Sequence, residues 1–354
     1  MSNKNTNYNR QPSRILIVRT DRLGDVILST PVIKNLRLAF PNAHLAFMCR
    51  PYTRDVVTGN PWLDEVIILD KKQKHRGIWG TFKLATWLRR QKFDWALILH
   101  PALRAHLLIF LSGIPVRVGW DKKIGCFLTK RIPHTKQEGK KHEVEYTLDI
   151  LRAMHIPVVD TATYFPVTLN DEKTTMDMLL RMGYKPDEKL IIIHPSASCP
   201  SRRWPYALFS RLIKLLQKVN GLKIVVISSA EEADMIDVLV NENTVIDLRG
   251  RLSISQFGAL LKHSALLISN DSGPVHIAAA LGTPVISLFS RKNPGLSPLR
   301  WGPVNANSFY FHKNVGCDVC LAHNCKKGFI CLDAINPEEV ASKAFELLSK
   351  GVIL

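Results

Sequence analysis

The sequence predicts two α/β domains in tandem, each built on a parallel sheet. Three observations carry this. Short apolar runs rich in β-branched residues alternate with amphipathic stretches of helical period, as βαβ units require. The alternation breaks once, over residues 155–166, where two prolines interrupt it, and then restarts. The length of 354 residues suits two domains or one large one.

Residues 15–19 read as a buried strand, 20–24 as a loop, and 26–40 as a helix. Strands follow at 44–49, 65–69 and 94–99. A helix bearing Trp79, Phe82 and Trp87 spans 78–91, and 141–154 closes this half. After the break, strands are expected at 190–194, 223–228, 265–269 and 284–289. The helices are 206–219, 231–240, 253–263, 274–281 and 336–349. The expected division is a disordered extension over 1–13, a first domain over 14–160, a linker region over 161–186 and a second domain over 187–354. That last domain includes a Cys-rich segment, 317–331. Ligands in such sheets bind beyond the carboxyl ends of the strands, and a cleft between two such domains is the expected site.

Composition narrows the class. Hydrophobic residues make up 46% and charged residues 22%, which excludes a disordered or fibrous chain. Lys and Arg number 48 against 30 Asp and Glu, a net +18, so the partner is anionic: nucleic acid, a phosphorylated ligand or an acidic membrane surface. The charge is lopsided. Residues 1–170 hold 27 basic against 13 acidic side chains, a net +14, and the remainder holds 21 against 17, a net +4. The polar start of the chain is neither a signal peptide nor an ordinary transit helix. The most apolar later stretch, 105–116, is too short to span a bilayer. A cytosolic protein is therefore expected, with Cys49, Cys126 and Cys199 reduced.

Three strand-to-helix loops carry candidate chemistry. In the first, RTDRLGD at 19–25, Asp25 falls at a helix start, where it caps the helix or serves as a general base. In the second, HPSASCPSRRWP at 194–205, the hydroxyls of Ser196 and Ser198 and the guanidinium groups of Arg202 and Arg203 suit phosphate oxygens. A solvated polar loop is the plainer alternative. The third is SNDSGPVHIAAALGTP at 269–284. Asp271, Ser272 and Gly273 make a compact turn, and Pro274 suits the first helical turn. The free N–H groups there point at an anion, and Gly282 ends the helix.

Together and in this order, the stretches ILIVRTDRLGDVILSTPVIKNLRLAFP, HPSASCPSRRWP and NDSGPVHIAAALGTPVISLF resemble glycosyltransferase family 9, the bacterial ADP-heptose:lipopolysaccharide heptosyltransferases. The resemblance covers roughly residues 14–350. It implies a GT-B fold, two Rossmann-like domains facing across a cleft, with the acceptor on the first and the nucleotide sugar on the second. It also implies inverting transfer of a heptose from ADP-heptose to the lipopolysaccharide inner core, without a catalytic cofactor. Asp25 is then the base. Arg202 stands where the family has a lysine and would stabilise the departing diphosphate. Ser196, Ser198 and Arg203, with Asp271, Ser272, Gly273 and His276, match donor-binding positions. Glu232 matches an acid expected on the ribose, with Glu231 one residue away and a helix-start acid as the plainer reading. Arg22 and Arg104 are the acceptor-binding candidates of the basic half. Such an acceptor sits on the anionic cytoplasmic face of the inner membrane, which fits a peripheral cytoplasmic enzyme. No basic motif interleaved with aromatics points to nucleic acid.

Alternatives of other kinds remain. One is transfer from another nucleotide sugar to a related glycolipid. Another is a non-catalytic nucleotide- or carbohydrate-binding protein on the same fold. A nicotinamide-dependent oxidoreductase is disfavoured, because no G-x-G-x-x-G follows the first strand. Finally, Cys317, Cys320, Cys325 and Cys331 fall within fifteen residues. They suit a structural zinc, with His323 able to replace one ligand, but equally reduced thiols, a disulfide or an iron–sulfur cluster.

Overall fold

The computed structural model describes residues 11–240 and 245–350. The expected extension over 1–13 lies outside these residues as far as position 10. Ser13 itself is tied down, its N–H and hydroxyl both donating to Asp94 Oδ2 at 2.7 and 2.8 Å. The chain divides into two compact units, one of residues up to 137 with 143–166, the other of 138–142 with 167 onward.

The first unit runs β1 (Arg14–Val18), α1 (Leu23–Ile27), α2 (Thr30–Ala39), β2 (His44–Cys49), β3 (Glu65–Ile68), α3 (Gly77–Arg90), β4 (Trp95–Ile98), α4 (Leu103–Leu111), β5 (Val116–Asp121), β6 (Lys130–Pro133) and α5 (Glu143–Ala153). Its strands form one parallel sheet in the order β3-β2-β1-β4-β5-β6. Helices cover the sheet, so its central strands are buried on both faces: Leu16, Val18, Ala46, Met48, Ala96 and Ile98 on one, Ile15, Ile17, Leu45, Phe47 and Leu97 on the other.

The second unit begins with α6 (Leu169–Arg181), β7 (Lys189–His194), α7 (Tyr206–Leu216), β8 (Leu222–Val226), β9 (Ile246–Asp247) and α8 (Ile254–Lys262). It continues with β10 (Leu266–Asn270), α9 (Gly273–Ala280), β11 (Val285–Phe289), α10 (Pro298–Trp301), β12 (Ser308–His312), α11 (Ile330–Asp333) and α12 (Pro337–Lys350). The sheet order is β12-β11-β10-β7-β8-β9, again all parallel. Read from the other edge, it repeats the order of the first sheet. In each sheet the winding reverses between two central strands, β1 and β4 in the first and β7 and β10 in the second. The carboxyl ends at such a reversal diverge and leave a crevice, where ligands of doubly wound sheets bind.

Local differences from the sequence reading have physical causes. The expected helix over 26–40 is two helices. Pro31 has no N–H to offer the Ile27 carbonyl, so the helix breaks and restarts at Thr30. The Thr30 hydroxyl takes over that carbonyl at 2.8 Å, and Ser29 Oγ bonds the Asp25 carbonyl at 2.7 Å. The expected helix over 231–240 is two short 3-10 turns, Ala230–Glu232 and Asp234–Leu239. The stretch 161–186 holds α6, whose N-terminus Thr168 caps by accepting from the Asp171 N–H. The apolar run 105–116 is most of α4 followed by the turn into β5. Among the described residues, no helix is long and apolar enough to cross a membrane.

Candidate functional site

At the carboxyl ends of β1 and β4, the first unit gathers charge around one arginine. Arg19 follows β1 and is 1% exposed. Its Nε donates to Asp21 Oδ1 at 2.8 Å. Its Nη2 donates to Asp25 Oδ1 at 2.5 Å and to Glu143 Oε1 at 3.2 Å, and Nη1 reaches the Leu99 carbonyl at 3.3 Å. Glu143, at the start of α5, also accepts from Lys136 Nζ at 2.7 Å. His100 Nδ1 lies 3.1 Å from Asp21 Oδ2. Three carboxylates thus share two cations.

That imbalance shows in the titrations. Burial is the main effect at Asp25, the Asp21 charge adds to it, and Arg19 opposes both. The net result pushes the Asp25 carboxyl up to about 6. Burial, followed by the Arg19 charge, lowers His100 to about 3, so its ring is neutral. Burial works against the charge on Arg19, but Asp21, Asp25 and Glu143 outweigh it and hold the guanidinium firmly protonated. Asp25 sits in the first turn of α1, whose N-cap, Arg22, makes no side-chain cap bond. The side chain spends itself on Arg19 rather than on capping.

Arg22 is exposed beside this network. Arg104, the other acceptor candidate, is on α4. Its Nη2 donates to the carbonyls of His75 and Gly77, the latter at 3.3 Å, tying α4 to the start of α3.

The corresponding ends of β7 and β10 build a different surface. Asn270, the last residue of β10, donates to the Pro195 carbonyl at 2.6 Å and accepts from the Trp204 N–H at 3.0 Å. One side chain thereby clamps both ends of the 195–204 loop. Trp204 is fully buried, edge-on to Phe209 at 4.7 Å, with its indole N–H on the Ile335 carbonyl. On the loop so held, Arg202 donates to the Asp271 carbonyl at 3.0 Å, to Cys199 Sγ at 3.3 Å and to Ser198 Oγ. Arg203 Nε bonds the Ala197 carbonyl at 2.8 Å, and its Nη2 lies 3.5 Å from Glu232 Oε1. Ser196 is fully buried, its hydroxyl without a hydrogen-bond partner among the described residues.

The turn into α9 starts at Ser272. This residue does not cap the helix; its hydroxyl sits 3.0 Å from Ser269 Oγ and 3.4 Å from His194 Nδ1. Burial lowers His194 to about 4, so it is neutral. The α9 N-terminus is left without a side-chain cap, as an anion site at a helix start requires. The far end is a Schellman stop: Gly282 has φ +79, and the Gly282 and Thr283 N–H groups return to the Ala279 and Ala278 carbonyls. His276 is buried on α9. Asp271 is buried too, and its carboxylate is paired with Arg291.

The structure brings together Ser198, Arg202, Arg203, Asp271, Ser272 and Gly273, with Glu232 reached through Arg203. The sequence reading assigns no role to Arg19, Glu143 and Lys136 in the first unit or to Asn270, His194 and Arg291 in the second. Arg19 and Arg291 each lie one or two residues past a strand end, a usable signal for a buried cation at a crevice. Nothing local marks Glu143, which comes from far along the chain.

For the four clustered cysteines the sequence leaves zinc, an iron–sulfur cluster, a disulfide and reduced thiols open. Cys317, Cys320, Cys325 and Cys331 line one cavity of about 370 Å³ and are all free thiols. Among the described residues, no three His, Cys, Asp or Glu side chains converge as a metal cage. His323 turns elsewhere, its Nδ1 2.8 Å from Ser201 Oγ. The segment is mostly irregular, so spacing that suits a tetrahedron does not impose one.

Two doubly wound parallel sheets, each with polar loops at its winding reversal, define the class: an α/β protein of the GT-B type. A sequence model of glycosyltransferase family 9 (heptosyltransferase) matches residues 81–330, and the chain belongs to that family. It is a glycosyltransferase. It is 28% identical to lipopolysaccharide heptosyltransferase 3 of Escherichia coli, over 81% of this chain and 85% of that one. A solved family 9 glycosyltransferase from Veillonella parvula has a TM-score of 0.86 at 24% identity, covering 96% of this chain and 98% of that one. The E. coli ADP-heptose lipopolysaccharide heptosyltransferase II gives a TM-score of 0.79 at 21% identity, covering 96% and 100%.

Proposed function

We propose that this enzyme transfers a heptose from ADP-heptose to the inner core of lipopolysaccharide, with inversion. The observation that carries the reading is Asp25. It is a largely buried carboxyl raised to about 6, poised to be ionised at neutral pH and still basic enough to take a proton. The names of the two E. coli relatives support the donor and acceptor.

In the proposed step the acceptor hydroxyl oxygen attacks the anomeric carbon as its proton passes to Asp25. The bond to the diphosphate breaks on the opposite face, and ADP leaves with the electron pair. Arg19 holds Asp25 in place, and Asp21 and Glu143 keep the network too anionic for that arginine to quench the base. Arg202 meets the charge developing on the diphosphate. Its present partners are mostly neutral groups, which leave its positive charge uncompensated. The α9 N-terminus with Ser272 and Gly273, and Ser198, hold the phosphates. Asp271 orients that turn through Arg291, and Ser196 and His276, both buried, belong to the donor side. Glu232, steadied by Arg203, takes the ribose hydroxyls. Arg22 and Arg104 belong to the acceptor side.

The enzyme acts in the cytoplasm, peripheral to an anionic membrane surface, in keeping with the +14 of residues 1–170. The four thiols of Cys317, Cys320, Cys325 and Cys331 line a cavity and take no part in the proposed step. A structural zinc in that segment would require the loop to close, and one zinc per chain on metal analysis would establish it. A donor and acceptor panel with mass detection of product tests the whole reading. A heptose added to a core acceptor from ADP-heptose supports it. No consumption of any nucleotide sugar with any core acceptor sinks it.

A further inference from the structure

The first unit exposes apolar side chains along two of its helices, although one of them, Phe110, also stacks on Phe127 at 4.3 Å. On α3, Leu84, Ala85 and Leu88 face the core with Thr81. On the other side, Ile78, Trp79 and Phe82 are 73%, 86% and 47% exposed, and the Trp79 and Phe82 rings are 6.4 Å apart. On α4, Leu103, Leu107 and Phe110 repeat at a spacing of four and three residues, so they line one stripe. All three are exposed, by 56%, 37% and 43%. The Arg104 bonds to the carbonyls of His75 and Gly77 fix the beginning of α4 against the beginning of α3. The two apolar runs therefore share one ridge. Single exposed hydrophobics are ordinary, but a contiguous patch of this kind marks an interaction surface.

The charge around the ridge selects the occupant. Between Asp70 and Asp94 there is no acid, while Lys71, Lys72, Lys74, Arg76, Lys83, Arg89, Arg90 and Lys92 are all basic. Asp70 is spent locally, accepting from the Lys72 and Gln73 N–H groups at 3.0 Å each. Crowding of like charge reaches Lys71, whose ammonium is lowered first by burial and then by Arg50, Arg104 and Lys123. Tryptophan and phenylalanine rimmed by Lys and Arg is the composition of an element lying in the plane of an anionic bilayer, rings at the headgroup level and cations on the phosphates.

We infer that the ridge formed by the start of α3 and the exposed stripe of α4 is the surface by which this enzyme seats on an anionic lipid bilayer. The inference deepens the proposed function, since it rests on an acceptor that is itself a membrane glycolipid.

The test is sedimentation of the full chain with phosphatidylcholine vesicles, with and without phosphatidylglycerol. Wild type is expected to bind the anionic vesicles at least tenfold more tightly, the difference shrinking as salt rises. Trp79→Ser with Phe82→Ser should weaken that binding about tenfold or more, from lost apolar insertion. Both positions are exposed, so an unchanged melting temperature confirms folding. Transfer to a delipidated core oligosaccharide should be unchanged in the variant. Equal binding to both vesicle types, or a variant that binds like wild type, overturns the inference. So does binding to duplex DNA as tight as to vesicles and untouched by the variant, which would make the face merely cationic. Loss of transfer to every acceptor with vesicle binding intact would sink the proposed function and leave the docking surface standing.

Discussion

The two units share a strand order and differ in what they place at its reversal point. In the first, one buried arginine is surrounded by Asp21, Asp25 and Glu143, and the surplus is negative. In the second, Arg202, Arg203 and Arg291 with a bare helix start are met, among the described residues, by Asp271 and Glu232, and the surplus is positive. In the proposed reading, the first crevice receives a proton and the second receives phosphate. A shared topology supplies the location, and the loop residues decide the chemistry.

The comparison can be broken most severely at Asp25. If the first unit supplies the base, Asp25→Asn lowers kcat/KM by about 10²- to 10⁴-fold. Thermal stability stays equal or rises, because a buried negative charge has gone from an over-anionic cluster. A variant that transfers at full rate removes Asp25 from the mechanism. Arg19→Met probes the opposite property of the same network. It leaves three carboxylates crowded without their shared cation, and denaturant unfolding is expected to show a loss of about 3–5 kcal/mol. A loss under about 1 kcal/mol would mean that water already screens the cluster, as it does for exposed pairs.

In the second unit, Arg202→Ala should lower kcat by about 10²-fold, the cost of removing one preorganised charge from a leaving group. Arg202→Lys should recover part of it, since the charge returns but the fork that spans Ser198 and the Asp271 carbonyl does not. Equal rates for the lysine variant and wild type would show that a point charge suffices.

The smallest effect sharpens the contrast through pH. Activity should rise with pH through about 6 as Asp25 ionises. Stability from the same group should run the other way. The folded state holds this proton more tightly than the unfolded chain, whose aspartates titrate near 4. The contribution is therefore complete below about pH 4 and lost as pH rises through about 6. Measuring both profiles on wild type and on Asp25→Asn isolates the group. An activity profile flat across pH 5–7 (about one unit either side of the expected value) contradicts its assignment.

Much of the fold was legible along the chain because buried parallel strands are written as local apolar runs. Residues 15–19, 44–49, 190–194 and 284–289 needed no partner to be recognised. The weaker edge strands β6, β9 and β12 lack that signature: β6 reads KRIP and β12 carries exposed Phe309 and Tyr310. The split at Pro31 was also local, since a proline's missing N–H reaches only four residues back, yet the apolar period across it concealed the break.

The sequence by itself determined the two-domain α/β plan, the strand-end loops and Asp25, Arg202 and Asp271 as residues of interest. These depend on short-range period, turn chemistry and the order of motifs. Tertiary structure decided what those residues touch. Glu143 meets Arg19 across 124 positions, Asn270 reaches back to Pro195 across 75, and Trp204 closes on Ile335 across 131. It also decided that four closely spaced cysteines line a cavity without forming a cage, and that Trp79 stands out in solvent instead of filling the core. Such outcomes turn on which distant segments pack together and on the burial that sets each charge's energy, and neither quantity is carried by neighbouring residues.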